Sequence, residues 1–263
     1  MNPTILLVTT HLVAALTYMA CLWPVSLAKK DASIADIFWG LGFVMIAWLA
    51  FFFTDGNVVR KLLILSLTSI WGIRLFLHIL LRNKGKGEDP RYAAMRKNHG
   101  KRFWWVSLFT VFLLQGFLLW VVSLPLQLGQ LSPFPARFTW LDGLGLFIWT
   151  VGFVFEAVGD WQLARFLKNP ENRGSVMDKG LWAYTRHPNY FGESLIWWGM
   201  YAITLAAPGT FWGILGPATI TFLLLRVSGV PMLEETLREQ PAYRAYIERT
   251  SAFVPWFPRK KTH

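Results

Sequence analysis

Gly180-Leu-Trp-Ala-Tyr-Thr-Arg-His-Pro-Asn-Tyr-Phe-Gly-Glu193 runs without a break into Ser194-Leu-Ile-Trp-Trp-Gly-Met-Tyr-Ala-Ile-Thr204, and that junction decides how the chain is read. Cationic, aromatic, amide and carboxylate side chains crowd the first half, and the second half is nearly all apolar. Such polar density at the mouth of a hydrophobic helix is costly unless a ligand or partner charges satisfy it. The junction predicts a membrane-spanning helix whose entrance binds a polar molecule at the membrane surface.

The rest of the chain fits the same setting. Of its 263 residues 54% are hydrophobic, with 15 Trp and 21 Phe, which is the composition of a polytopic membrane protein. Seven apolar stretches, at about 4–28, 34–53, 61–82, 104–123, 140–158, 189–207 and 209–227, each come near the length a bilayer requires. Isolated strands cannot satisfy their backbone groups in lipid, so the expected fold is all-α. It is a single integral domain over 1–263, seven transmembrane helices with cytoplasmic cofactor-binding loops and a cytoplasmic tail over 228–263. The first stretch has no basic segment before it and no small-x-small cleavage pattern, so it reads as a span rather than a signal.

The net charge of +11 is not that of a nucleic-acid binder, because it is confined to connections. Eight Lys/Arg lie between Arg82 and Arg102, five between Arg165 and Arg186, and six from Arg238 to Lys261. The 124–139 connection carries only Arg137. By the positive-inside rule the three basic segments face the cytoplasm, with the amino terminus outside and the carboxyl terminus inside, most naturally in a bacterial inner membrane. The 54–60 turn, with Arg60 beside Lys61, is the one discordant count. A single cysteine, Cys21, excludes disulfides and cysteine-based metal sites. No Gly-x-Gly-x-x-Gly follows a strand, no Walker loop is present and no His-x-x-x-His spacing occurs, so no metal is expected.

Polar residues inside the apolar stretches point one way. Arg74, His78 and Arg82 recur every four residues, stacking on one face of the third span. Snorkelling explains Arg82, whereas Arg74 lies two turns deeper and calls for a partner or a ligand. Glu156 and Asp160, one turn apart, either neutralise Arg74 or Arg165 or touch a ligand. Asp36 opens the second span, where a helix N-terminal carboxylate is also favoured by the macrodipole. Arg226 ends the seventh span. All fall in the cytoplasmic half, outlining a cationic cavity suited to a phosphorylated cofactor or an anionic headgroup.

Arg186-His-Pro-Asn-Tyr-Phe-Gly-Glu193, preceded by Gly180-Leu-Trp-Ala-Tyr184, resembles the carboxyl-terminal signature of membrane steroid 5α-reductases and their bacterial branch. The delta-14 and delta-7 sterol reductases share a similar pattern. Asp160-Trp161 with Leu163 resembles a Ser-Asp-Tyr-x-Leu stretch of the reductases, and Asn83-Lys-Gly-Lys86 resembles their Asn-Arg-Gly-Arg loop. Pro241-Ala-Tyr-Arg-Ala-Tyr246 and Phe253-Val-Pro-Trp-Phe-Pro258 are similar to the bacterial ending. Isoprenylcysteine carboxyl methyltransferases and phospholipid N-methyltransferases also carry Arg-His-Pro-x-Tyr and a late Glu-Glu. The Asn189 and Glu193 pair sides with the reductases.

The resemblance implies NADPH, held by Arg74, His78, Asn83, Lys86, Asp160, Arg165, Arg186, His187, Asn189, Tyr190, Glu193, Arg226, Glu235 and Tyr246. It also implies reduction of the carbon–carbon double bond of an enone in a steroid-like lipid, of the 3-oxo-4-ene type. Hydride goes to the β-carbon, and a hydrogen-bond donor stabilises the charge growing on the carbonyl oxygen. Ala35-Asp36 stands where the reductases carry a Gln-Glu pair, and Trp71 stands near the place of their tyrosine. Asp36 is the expected donor, since a carboxylic acid kept neutral by an apolar pocket can donate such a bond. Trp23, Trp39 and Trp71 offer flat surfaces for a polycyclic lipid or serve ordinary helix packing. The competing reading is methyl transfer from S-adenosylmethionine to a lipid or lipidated acceptor.

Overall fold

The structure, a computed structural model, describes residues 3–259. Among these the secondary structure is helical, with one isolated parallel bridge between Thr185 and Ser251. The chain divides into two compact units, Met1–Asp142 with Ile203–Gly216, and Gly143–Ala202 with Pro217–His263. The last four residues of the expected tail, 260–263, lie outside the described residues.

The first unit opens with α1 (Pro3–Lys29), a short α2 (Ile34–Ile37) and α3 (Trp39–Phe53). It continues through α4 (Val58–Asn83), α5 (Pro90–His99), α6 (Phe103–Ser107), a π-helical turn Leu108–Leu113, α7 (Leu114–Val122) and α8 (Leu124–Leu128). Two glycines set the closest approach. A Cβ on Gly40 of α3 would stand 2.5 Å from the Gly72 carbonyl oxygen of α4, and one on Gly72 would stand 2.6 Å from that of Gly40. Only glycine on both helices permits this contact, the small-residue packing common between membrane helices. Phe43 and Trp71, both buried, fill the space beside it with ring centroids 5.6 Å apart.

The discordant Arg60 is resolved by burial. Its guanidinium, 2% exposed, donates Nε to Asp142 Oδ1 at 2.9 Å, and Asp142 also accepts from the Thr139 amide and hydroxyl. A charge neutralised inside the protein does not weigh on topology as a free loop lysine does. Lys61, also buried, donates to the Thr54 carbonyl and lies over the Phe51 ring at 4.9 Å.

The second unit is built on α9 (Trp140–Lys168), α10 (Pro188–Thr204), α11 (Leu215–Phe222) with a π-helical turn Leu223–Val227, α12 (Val230–Leu237) and α13 (Pro241–Arg249). Gly152 and Gly192 bring α9 and α10 together, since a Cβ on Gly192 would stand 2.5 Å from the Gly152 oxygen and 2.4 Å from the Glu156 nitrogen.

Among the described residues five helical runs are long and apolar enough to cross a membrane, Thr4–Lys29, Val58–Asn83, Pro90–Val122, Trp140–Lys168 and Phe211–Glu235, against the seven spans expected. The stretch at 34–53 breaks at Phe38, leaving a 15-residue apolar helix in α3. The stretch at 189–207 becomes the 17-residue α10, which ends at Thr204 before Pro208-Gly209. At about 1.5 Å rise per residue, both fall short of the roughly 20 residues a bilayer core asks for. Within the expected tail, α12 and α13 are separate helices, because Pro241 cannot continue a helix across its own position and instead starts the next.

Candidate functional site

The Arg-His-Pro turn gains its geometry from Pro188, the first residue of α10, where the missing N–H is no loss. Thr185 Oγ1 accepts from the His187 amide, fixing the turn just before it. Arg186 and His187 are thereby aimed at Glu234 on α12, whose side chain is completely buried. Arg186 donates Nε to Glu234 Oε1 at 2.7 Å and Nη2 to Oε2 at 3.2 Å. His187 Nε2 lies 3.0 Å from the same Oε1, and Arg238 donates to Oε2 at 3.1 Å. Arg186 Nη1 donates in addition to the Ile247 and Thr250 carbonyls, reaching α13. One buried carboxylate thus gathers three cationic or ionisable side chains from two segments almost fifty residues apart.

Aromatic rings pack around this cluster. Tyr190 stacks on His187, with centroids 5.4 Å apart and planes at 8°. Tyr246, 1% exposed, donates to the Trp182 carbonyl, and Trp182 donates Nε1 to the Gly159 carbonyl of α9 at 3.1 Å. Tyr243 packs against Tyr246 at 5.7 Å. Burial pushes the Tyr243 phenol up to about 12, and the nearby Glu234 carboxylate adds to that, so it stays a neutral hydroxyl in this setting. Burial likewise raises Tyr246.

One turn further along, Asn189 donates Nδ2 to Asp160 Oδ1 at 3.1 Å. The Asn189 carbonyl oxygen Oδ1 is buried and has no hydrogen-bond partner among the described residues. A buried amide with one arm fixed and the other open is poised to accept from a ligand N–H.

Of the residues expected to hold a cofactor, the second unit brings Asp160 to Asn189, and Arg186, His187, Tyr190 and Tyr246 to the Glu234 cluster. Glu193 is half-buried one turn after Asn189 on α10. Arg165, whose guanidinium lies over the Trp161 ring at 5.6 Å, is exposed, as are Arg226 and Glu235. The buried glutamate is Glu234, not its neighbour. In the first unit Arg74 and His78 are half-buried one turn apart on α4, Asn83 ends that helix, and Lys86 is exposed in the turn beyond.

The first unit holds a second polar cluster, around Asp36. Its Oδ1 accepts from the Tyr92 hydroxyl at 2.7 Å and from Gln115 Nε2 at 3.0 Å, and its Oδ2 accepts from Arg91 at 2.8 Å. Gln115 Nε2 also lies 3.0 Å from the Tyr92 oxygen, and Gln115 Oε1 is buried without a hydrogen-bond partner among the described residues. Asp36, expected from sequence as the donor, is here the common partner of three donors. The hydroxyl at this place belongs to Tyr92. Trp71 is buried against Phe43, Trp39 sets its edge on the same ring at 5.1 Å, and Trp23 donates to the Trp104 carbonyl at 2.8 Å.

Tyr92 is positioned by the turn before it. Glu88 accepts from the Ala32 amide at 2.8 Å and from Arg96 at 2.8 and 2.9 Å, while the Asp89 amide donates to Ser33 Oγ at 2.8 Å. Burial pushes the Glu88 carboxyl up, but the Arg96 guanidinium and the Ala32 amide outweigh it and hold it below its usual 4.5. A carboxylate lowered in the folded state stabilises fully above its ordinary value and loses that contribution as the pH falls through the folded one. The protection of the Ala32 amide, its exchange rate relative to the unfolded chain at the same pH, should therefore hold down to about pH 4.5 and fall below it, and in Glu88→Gln it should be lower at neutral pH and lose that pH dependence.

Sequence reasoning missed Tyr92, Gln115 and the choice of Glu234. Gln115 carried a signal, being a lone amide in the apolar run 104–123, and a polar group there calls for a partner.

Comparison with known proteins adds the family. The chain is 26% identical to an uncharacterized protein of Schizosaccharomyces pombe across 89% of its own length and 75% of that protein's. It is also 33% identical to a probable O-methyltransferase (ustE) of Ustilaginoidea virens over 101 residues, 38% of this chain and 34% of that one. No solved structure matches. Residues 22–250, which carry both polar clusters, match the family described as proteins of unknown function DUF1295, and the chain belongs to that family.

Proposed function

We propose that this chain is an NADPH-dependent membrane reductase that saturates the carbon–carbon double bond of an enone in a steroid-like lipid. The observation that carries the reading is Asn189, anchored to Asp160 by its Nδ2 and left with a buried, open Oδ1. An acceptor of that kind fits the carboxamide of a nicotinamide, and it lies in the segment whose likeness to the sterol reductases is closest. Asn189 and Asp160 would hold the amide-bearing end of the cofactor, and the basic connections would meet its phosphates. When bound, NADPH supplies a hydride. The basic connections favour a cytoplasmic face for the cofactor.

The chain's own contribution to the substrate end is a hydrogen-bond donor. Gln115 donates to the Tyr92 oxygen and Asp36 accepts its one proton, so the hydroxyl would serve a substrate by turning that proton from Asp36 to the carbonyl oxygen, where it would stabilise the charge that grows there. Tyr92 thus takes over the role that sequence gave to Asp36, which becomes the residue that orients it.

Methyl transfer from S-adenosylmethionine is the second reading, favoured by the partial match to a probable O-methyltransferase. The same Arg-His-Pro turn and buried Glu234 would then face a sulfonium cofactor, which is better met by carboxylates than by an excess of cations. Binding of NADPH and of S-adenosylmethionine to the purified chain separates the two.

A further inference from the structure

The carboxyl-terminal segment after α13 is not a loose tail. The Trp256 amide donates to the Tyr184 carbonyl, the Arg259 amide to the Arg249 carbonyl, and the Arg186 amide to the Ser251 carbonyl, each at 2.9 Å. Thr185 Oγ1 donates to the Phe253 carbonyl at 2.8 Å. These bonds fix the segment as one wall of a pocket of about 400 Å³, whose lining includes Arg186, Arg249, Thr250, Trp256, Phe257 and Arg259. Arg186 serves the Glu234 cluster and Arg249 pairs with Asp178, whereas the Arg259 guanidinium makes no ion pair among the described residues. The lining carries three guanidinium groups against one carboxylate, Glu248.

The lip of the pocket is apolar and outward-facing. Val254, Trp256 and Phe257 are 59%, 71% and 76% exposed, an aromatic edge that no described part of the chain covers. The Trp256 amide is bonded to Tyr184, four residues before the start of the apolar α10, which holds this edge beside the entrance of that helix. Exposed Trp and Phe beside arginines are the side chains that settle at a membrane–water interface, where the rings enter the headgroup layer and the cations meet lipid phosphates.

We propose that this pocket binds the phosphate headgroup of an anionic phospholipid, with Trp256 and Phe257 seated among the acyl-chain ends and Arg259 as the main free cation. Guanidinium groups match phosphate oxygens in geometry as well as charge. The volume, at the low end of ligand pockets, suits a headgroup whose chains leave across the aromatic lip. The site shares Arg186 with the Glu234 cluster and none of its lining with the Asn189–Asp160 pair.

Native mass spectrometry of the full chain in detergent, titrated with phosphatidylglycerol or with phosphatidylcholine of the same chains, tests the proposal. One phosphatidylglycerol should be retained at least about tenfold more tightly than phosphatidylcholine. Arg259→Gln and Trp256→Ser, both changes at exposed side chains, should each weaken that retention severalfold without moving the thermal midpoint. Equal retention of the two lipids, or unchanged retention in both variants, would overturn it. A third arm adds inorganic phosphate and NADPH at millimolar concentration. Displacement of the lipid by either one, with binding that depends on Arg259, would assign the pocket to a soluble phosphate compound and sink the lipid assignment.

Discussion

Glu234→Ala is expected to unfold the carboxyl-terminal part of this protein, while Glu235→Ala, its immediate neighbour, leaves stability within about 0.5 kcal/mol of the parent. Glu234 is fully buried and is the common acceptor for Arg186, His187 and Arg238. Removing it strands the Arg186 guanidinium in an interior where water cannot replace the lost carboxylate. Breaking a buried pair from one side in this way costs about 3–5 kcal/mol, a large share of the 5–15 kcal/mol that holds a typical protein folded. Because Arg186 also binds the Ile247 and Thr250 carbonyls, the loss should spread to α13 and the segment beyond it. Limited proteolysis should cut first after Leu237, and the thermal midpoint should fall by several degrees. Glu234→Gln keeps an acceptor oxygen and should lie between the two. A Glu234→Ala protein as stable as the parent would show that the cluster is not what docks α12 and α13.

The second large effect concerns turnover. Tyr92→Phe should lower reduction of a 3-oxo-4-ene steroid by about 10²–10³, the usual loss when one preorganised donor to a developing oxyanion is removed. The ring remains, so packing of the 7%-exposed Tyr92 side chain is kept. Asp36 retains Arg91 and Gln115 as donors, and the part-buried hydrogen bond that is lost contributes about 0.5–1.5 kcal/mol of stability. NADPH affinity should be unchanged, which separates a role at the substrate carbonyl from general damage. Asp36→Asn should act through Tyr92, lowering kcat less than Tyr92→Phe does. Wild-type turnover in Tyr92→Phe would place the donor elsewhere.

Much of this architecture could be read from the chain because lipid leaves so few choices. The apolar stretches read from the sequence at about 61–82, 140–158 and 209–227 fall on the helical runs Val58–Asn83, Trp140–Lys168 and Phe211–Glu235. What hydropathy could not resolve was where a helix stops. Phe38 splits the second stretch and Thr204 ends the sixth, yet neither residue looks like a breaker, since each boundary depends on the backbone hydrogen bonds of its surroundings. In the candidate site, Arg186, His187, Asn189 and Tyr190 were legible because they adjoin in sequence. Their partners were less so. Glu234 and Glu235 are equivalent on paper, but successive side chains on a helix point about 100° apart, so only the docked rotation of α12 tells which one is buried. The Asp36 cluster joins residues 55 to 79 positions apart, a meeting set by helix packing rather than by local pattern.

The most direct test of the functional reading is an equilibrium titration of the purified full chain with NADPH and, separately, with S-adenosylmethionine, repeated on Asn189→Ala. NADPH should bind saturably, with a Kd in the range of about 1 μM to 1 mM usual for such ligands, and about tenfold more weakly to Asn189→Ala. S-adenosylmethionine should show no saturable binding. Saturable binding of S-adenosylmethionine with none for NADPH would contradict the reductase assignment and make the chain a methyltransferase.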